Sequence, residues 1–86
     1  MFVIVTYDVN SKKVSKVLKL CRKYLIHVQK SVFEGAITEG KLNRLKRELL
    51  QLIDVERDSV CIYRLDSSKY AKKEEIGVVM DKSHII

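Results

Sequence analysis

The stretch Phe2-Val3-Ile4-Val5-Thr6-Tyr7-Asp8 constrains the rest of the chain more than any other. Its apolar and β-branched residues fall on both faces of an extended strand, so it belongs in the middle of a sheet. A strand of that kind needs cover on each side. It stops in a carboxylate, Asp8, and a lysine-rich segment begins just beyond Asn10 and Ser11. An acid at the mouth of a buried strand, beside a cluster of cations, is the most suggestive chemical feature of the chain.

At 86 residues the chain makes one domain with a thin core, and oligomerisation is expected on that ground alone. The apolar fraction of 47% excludes disorder over most of the length. Lysine and arginine total 17 against 11 acids, a net charge of +6. That excess favours an anionic partner, nucleic acid before an anionic membrane; a merely solvated basic surface is the plain alternative. Cys21 and Cys61 sit in apolar-periodic segments and read as small buried hydrophobes. They form neither a disulfide framework nor a zinc spacing, which points to a reduced, cytoplasmic setting. No basic region precedes an apolar run at the N-terminus, and no run is long enough to span a bilayer, so no membrane partner is expected.

After the first strand, Asn10 or Ser11 caps a helix. Val14, Val17, Leu18, Cys21 and Leu25 form its apolar stripe, and Lys12, Lys16, Lys19 and Lys23 form a positive stripe elsewhere, with Lys13 and Arg22 adding to it. Like charges at these spacings repel by roughly a few tenths of a kcal/mol per pair, which a polyanion would relieve. His27 to Ser31 and Val32 to Thr38 read as two strands, a hairpin or one long strand with a bend, with Gly35 a candidate bulge. Thr38 caps a second helix with Glu39 in its first turn, and Leu42, Leu45, Leu49, Leu52 and Ile53 line its buried side. Ser59 to Leu65 is the next strand. Val60, Ile62 and Arg64 share one face; Cys61, Tyr63 and Leu65 share the other.

The pattern predicts an α+β domain over residues 1–66, a ferredoxin-like βαββαβ sandwich with both helices on one face of the sheet. Residues 67–86 follow as a polar loop, an extra short C-terminal strand around Ile76-Gly77-Val78-Val79-Met80, and a tail. The bare face of the sheet needs a cover, and a second copy is the economical choice, giving a sheet-to-sheet homodimer. The last strand would complete the partner's sheet edge. Candidate dimer contacts are Tyr7, Ser31, Phe33, Ile76, Val78 and Val79.

The combination of Tyr7-Asp8-Val9, a basic helix, Gln29-Lys30-Ser31-Val32-Phe33-Glu34-Gly35 and Asp58-Ser59-Val60-Cys61-Ile62-Tyr63 resembles the CRISPR-associated protein 2 family over about Met1 to Leu65. The resemblance implies a ferredoxin-like symmetric homodimer that takes part in capturing invading DNA as new CRISPR spacers, with the integrase CRISPR-associated protein 1. It further implies a metal-dependent endonuclease acting on single-stranded RNA or double-stranded DNA. The metal is magnesium, sometimes manganese, and the ligand position is Asp8. Family members commonly carry arginines in the turn and at the start of the first helix, where this chain has Lys12 and Lys13. Lysine holds a phosphate as a point charge and cannot fork bidentately.

One carboxylate makes a poor magnesium site, but two-fold symmetry would bring two Asp8 side chains to one ion. Lys12, Lys13, Lys16, Lys19, Lys23, Arg44 and Arg47 are the candidate phosphate contacts. No aromatic residue interleaves with them in sequence, which argues for backbone and shape recognition without base stacking. His27 reads as a partly exposed turn residue with no catalytic part. Two functions remain in view: a nuclease centred on Asp8, and a non-catalytic dimer that grips duplex DNA and bridges integrase dimers.

Overall fold

A computed structural model gives the fold of residues 1–65. The expected C-terminal strand, the boundary after residue 66, and the contacts placed on Ile76, Val78 and Val79 lie outside the described residues. The elements run β1 (Phe2–Asp8), α1 (Val14–Cys21), β2 (Ile26–Gln29), β3 (Val32–Ala36), α2 (Glu39–Leu52) and β4 (Ser59–Leu65). The four strands form one sheet in the order β2-β3-β1-β4, with every neighbouring pair antiparallel. This is the expected ferredoxin-like arrangement, with β1 in the interior of the sheet.

Alternation along β1 divides its side chains cleanly. Val3, Val5 and Tyr7 are buried, whereas Phe2, Ile4 and Thr6 are half-buried. The buried set packs with Val17, Leu20 and Cys21 of α1 and Leu42, Leu45 and Leu49 of α2, so both helices cover the same face. Phe33 pairs with Val5 in register and belongs to this core with no exposed surface. Tyr7 lies there too, its ring 6.1 Å from that of Phe33. Neither side chain is therefore available at a subunit interface on the opposite face, which corrects the expectation from sequence. The open face carries Ile4, Glu34 and Tyr63 in one register row and Thr6, Val32 and Cys61 in the next. Tyr63 is 55% exposed and Ile26, opposite Glu34, 45%.

Local signals shifted where tertiary contacts took over. The β2–β3 segment is a hairpin, and its irregularity falls between His27 and Gln29; Gly35 pairs with Val3 without a break. His27 is a buried strand residue stacked 4.5 Å from Phe33, not a turn residue. Cys21 is buried, and burial pushes its thiol up to about 12; Cys61 is exposed on the open face, contrary to expectation. Thr38 caps α2 as expected, its hydroxyl accepting from the Lys41 N–H at 3.2 Å. At the same end of α2, Arg64 donates to both carboxylate oxygens of Glu39, at 2.9 and 3.0 Å.

The start of α1 differs more. The helix begins at Val14 behind Lys13, which supplies no side-chain cap. Asn10 instead closes a tight turn, its side-chain oxygen accepting from the Lys12 N–H at 2.9 Å. The turn is fastened from across the molecule by Asp58. That carboxylate, 2% exposed, accepts from the Asn10 N–H at 2.9 Å, from Lys13 Nζ at 2.8 Å and from the Asp54 N–H at 2.8 Å. The Asp54 N–H, then Lys13, then the Asn10 N–H hold its pKa down at about 2. Asp58 thereby ties the β1–α1 turn to the α2–β4 connection.

Because the carboxyl titrates lower in the folded chain than its ordinary 3.8, this staple is complete above about pH 4 and its contribution is lost as pH falls toward about 2. Asp58→Ala is expected to lower the melting temperature at pH 7 and to remove that part of the acid dependence, as followed by circular dichroism. Leu45, fully buried between α2 and the sheet, is a plain core position. Leu45→Ala should cost about 2–5 kcal/mol in denaturant unfolding.

Candidate functional site

Asp8 ends β1 opposite Ser59 and is exposed. Among the described residues its carboxylate has no side-chain hydrogen bond and no ion pair. It lines a cleft of about 460 Å³ together with Tyr7, His27, Lys30 and Ser31, closed on one side by Val14 and Leu18 of α1. Two hydrogen bonds hold the β2–β3 turn against the end of β1, and a third closes the turn from within β2. The Tyr7 N–H donates to the Ser31 carbonyl at 3.1 Å, and the Tyr7 hydroxyl donates to the Lys30 carbonyl at 3.3 Å. His27 Nε2 lies 3.1 Å from that same carbonyl. A carbonyl only accepts, so Nε2 carries the proton. Burial raises the Tyr7 pKa first, with a smaller push from Cys21, so the phenol stays a donor. The Lys30 side chain is thus anchored at its backbone beside Asp8.

No group of three histidine, cysteine or acidic side chains converges among the described residues. Asp8 is a hard oxygen donor, open to solvent and unclaimed, which suits magnesium or manganese. Magnesium is commonly held by one or two carboxylates, with waters and substrate phosphates filling its octahedron. One protomer supplies one such carboxylate, so the residues fit the ion as half of a site.

The candidate phosphate contacts separate into groups. Lys12 is exposed beside the Asn10 turn. Lys13 is taken by Asp58 and is a structural cation, which corrects its assignment as a free phosphate contact. Lys16, Lys19 and Lys23 line a groove of about 270 Å³ between α1 and α2, facing Glu48 and Gln51. Arg44 lines a second cleft with Lys23 and Lys41. Arg47 is exposed on α2 and lines neither. Ser31 is half-exposed in the Asp8 cleft. Sequence reasoning passed over Lys30, Lys41 and Tyr24. Lys30-Ser31 does carry a signal, as the polar break between two strand patterns, while Tyr24 gains its place only through folding.

The comparisons with known proteins agree with this architecture. Residues 1–73 match the family described as CRISPR associated protein Cas2. A Thermotoga maritima protein named CRISPR-associated endoribonuclease Cas2 is 51% identical over 78 residues, covering 91% of this chain and 90% of its own. A Dictyoglomus turgidum protein of the same name is 45% identical over 82 residues, 95% and 94% of the two chains. The crystal structure of Streptococcus pyogenes Cas2 at pH 6.5 superposes with a TM-score of 0.81 at 38% identity, over 90% of this chain and all of that one. A second crystal structure, described as cas2, gives 0.85 at 41% identity over 96% and 91%. With sequence, fold and strand order in accord, the chain belongs to the CRISPR associated protein Cas2 family.

Proposed function

We propose that this protein is a CRISPR-associated, metal-dependent endonuclease that works as a symmetric homodimer in spacer acquisition alongside the CRISPR-associated protein 1 integrase. The observation that carries the catalytic part is Asp8: an exposed, unpaired carboxylate at the rim of a sheet whose open face lacks cover. Two such sheets packed face to face would bury Ile4, Tyr63 and their neighbours, as the exposure of Ile26 and Tyr63 favours. They would also set the two Asp8 carboxylates across the symmetry axis. The names of the relatives, endoribonucleases, support RNA as one substrate; the net charge of +6 suits duplex DNA equally.

The roles follow from side-chain chemistry. The paired Asp8 carboxylates would hold magnesium, with manganese as a substitute, and the bound ion would supply neutralisation of phosphate charge and a more acidic coordinated water. Lys30 offers a point charge to a neighbouring phosphate, and Tyr7 and His27 keep its backbone in place. Lys16, Lys19, Lys23 and Arg44 grip the phosphate backbone, without base readout and with a steep salt dependence.

The second reading is a scaffold without chemistry, gripping duplex DNA and bridging integrase dimers. The single carboxylate per protomer, set against a helix layer rich in cations, favours it.

Asp8→Ala should reduce magnesium-dependent cleavage of single-stranded RNA or duplex DNA by more than about 100-fold, beyond what loss of an outer-shell partner costs. Equal cleavage by wild type and variant would remove Asp8 from catalysis. Absence of cleavage by both, with salt-dependent DNA binding intact, selects the scaffold. Tyr63→Arg should leave the protomer folded, because the side chain is half-exposed there, and shift the protein from dimer to monomer on sizing under dilution.

A further inference from the structure

The cleft of about 550 Å³ between the turn after α1 and the first turns of α2 is not part of the Asp8 site. It opens beside Met1, at the other end of β1. Seven strand residues separate the two by about 20 Å. Three cations from two separate segments line it: Lys23 from the turn, Lys41 and Arg44 from α2. Among the described residues, no carboxylate lines it. The nearest acids are already committed, Glu39 to Arg64 and Glu48 to the Tyr24 hydroxyl. Lys23, Lys41 and Arg44 have no acidic partner within ion-pair distance among the described residues.

Tyr24 supplies the second half of the argument. In sequence it stands outside the lysine stripe; in the fold it lines the cleft among the three cations. Its hydroxyl donates to Glu48, which fixes the half-buried ring, and the Arg44 guanidinium stands beside the same hydroxyl. Ile37 and Met1 add apolar wall. A bare anion would use the cations and leave the aromatic and apolar wall idle. A neutral aromatic ligand would leave three like charges crowded together. A ligand with a planar base and a phosphate uses both, since bases stack on aromatic rings and guanidinium forks onto phosphate oxygens. The volume lies within the range of about 300–1,000 Å³ usual for small-molecule sites.

We propose that this cleft is a nucleotide-binding site, with the phosphate held by Lys41 and Arg44, Lys23 adding charge, and the base against Tyr24. The occupant is a nucleotide unit, either free or at the end of a strand. The assignment does not depend on Asp8, on a metal or on cleavage.

The test titrates isotope-labelled protein with AMP, adenosine and inorganic phosphate in a chelator, following backbone amides by NMR. AMP should give saturable shifts at Tyr24, Ile37 and Lys41, and bind at least about tenfold more tightly than phosphate or adenosine. The double variant Lys41→Ala/Arg44→Ala, at exposed positions, should keep a dispersed spectrum and lose at least about tenfold in AMP affinity. Tighter binding of a 5′-phosphorylated decanucleotide than of AMP identifies a strand end as occupant; the reverse identifies the free nucleotide. Equal affinity for phosphate and AMP overturns the proposal, as does unsaturable shifting spread over the α1 lysines. Unchanged AMP affinity in the folded double variant overturns it as well. None of these readouts involves Asp8, so failure here and failure of the nuclease reading are separable.

Discussion

A sheet that, among the described residues, is covered by helices on one side only governs this molecule. β1 carries apolar side chains on both faces, and both helices pack against the same one. The covered face holds the protomer together through Val5, Phe33, Leu42 and Leu45, all fully buried. The other face leaves Ile26 and Tyr63 in contact with water, at an unfavourable cost of about 25 cal/mol per Å² of apolar surface left wet. The rows Ile4–Glu34–Tyr63 and Thr6–Val32–Cys61 are laid out flat on that face, with Asp8 at its end. A face open to association and a free carboxylate at its rim are therefore two consequences of one packing decision.

Much of this was legible in the residues. Period-two and period-3.6 patterns located both helices and all four described strands, because they record which side chains must leave water. Thr38 was identified as a cap because its effect is local, reaching only to Lys41. Asp8 was legible as the polar end of an apolar strand. What escaped was non-local. Asp58 reaches a backbone 48 positions away at Asn10 and claims Lys13, and nothing near residue 58 announces this. The capping role expected of Asn10 or Ser11 lost to that staple. Phe33 and Tyr7 were placed at an interface because alternation gives two faces without saying which one the helices take.

Charge is distributed by the same logic. Lys16, Lys19 and Lys23 could not occupy the α1 stripe that holds Val17, Leu20 and Cys21, so they gather in the groove facing α2. Glu48 stands in that groove but is bonded by Tyr24, which blunts its ability to neutralise the lysines. Lys23 borders both the groove and the cleft at the start of α2, so the positive surface passes from one to the other without interruption. A polyanion laid there meets one continuous track.

The rigid interior strand also sets a length scale. β1 separates the mouth at Met1 from the carboxylate at Asp8 by about 20 Å, and a duplex advances about 3.4 Å per base pair. A duplex held at one mouth and reaching the other along the strand would therefore need at least about six base pairs. Were both ends to take nucleic acid, the strand would act as a ruler for duplexes, a selection by size that requires no reading of sequence.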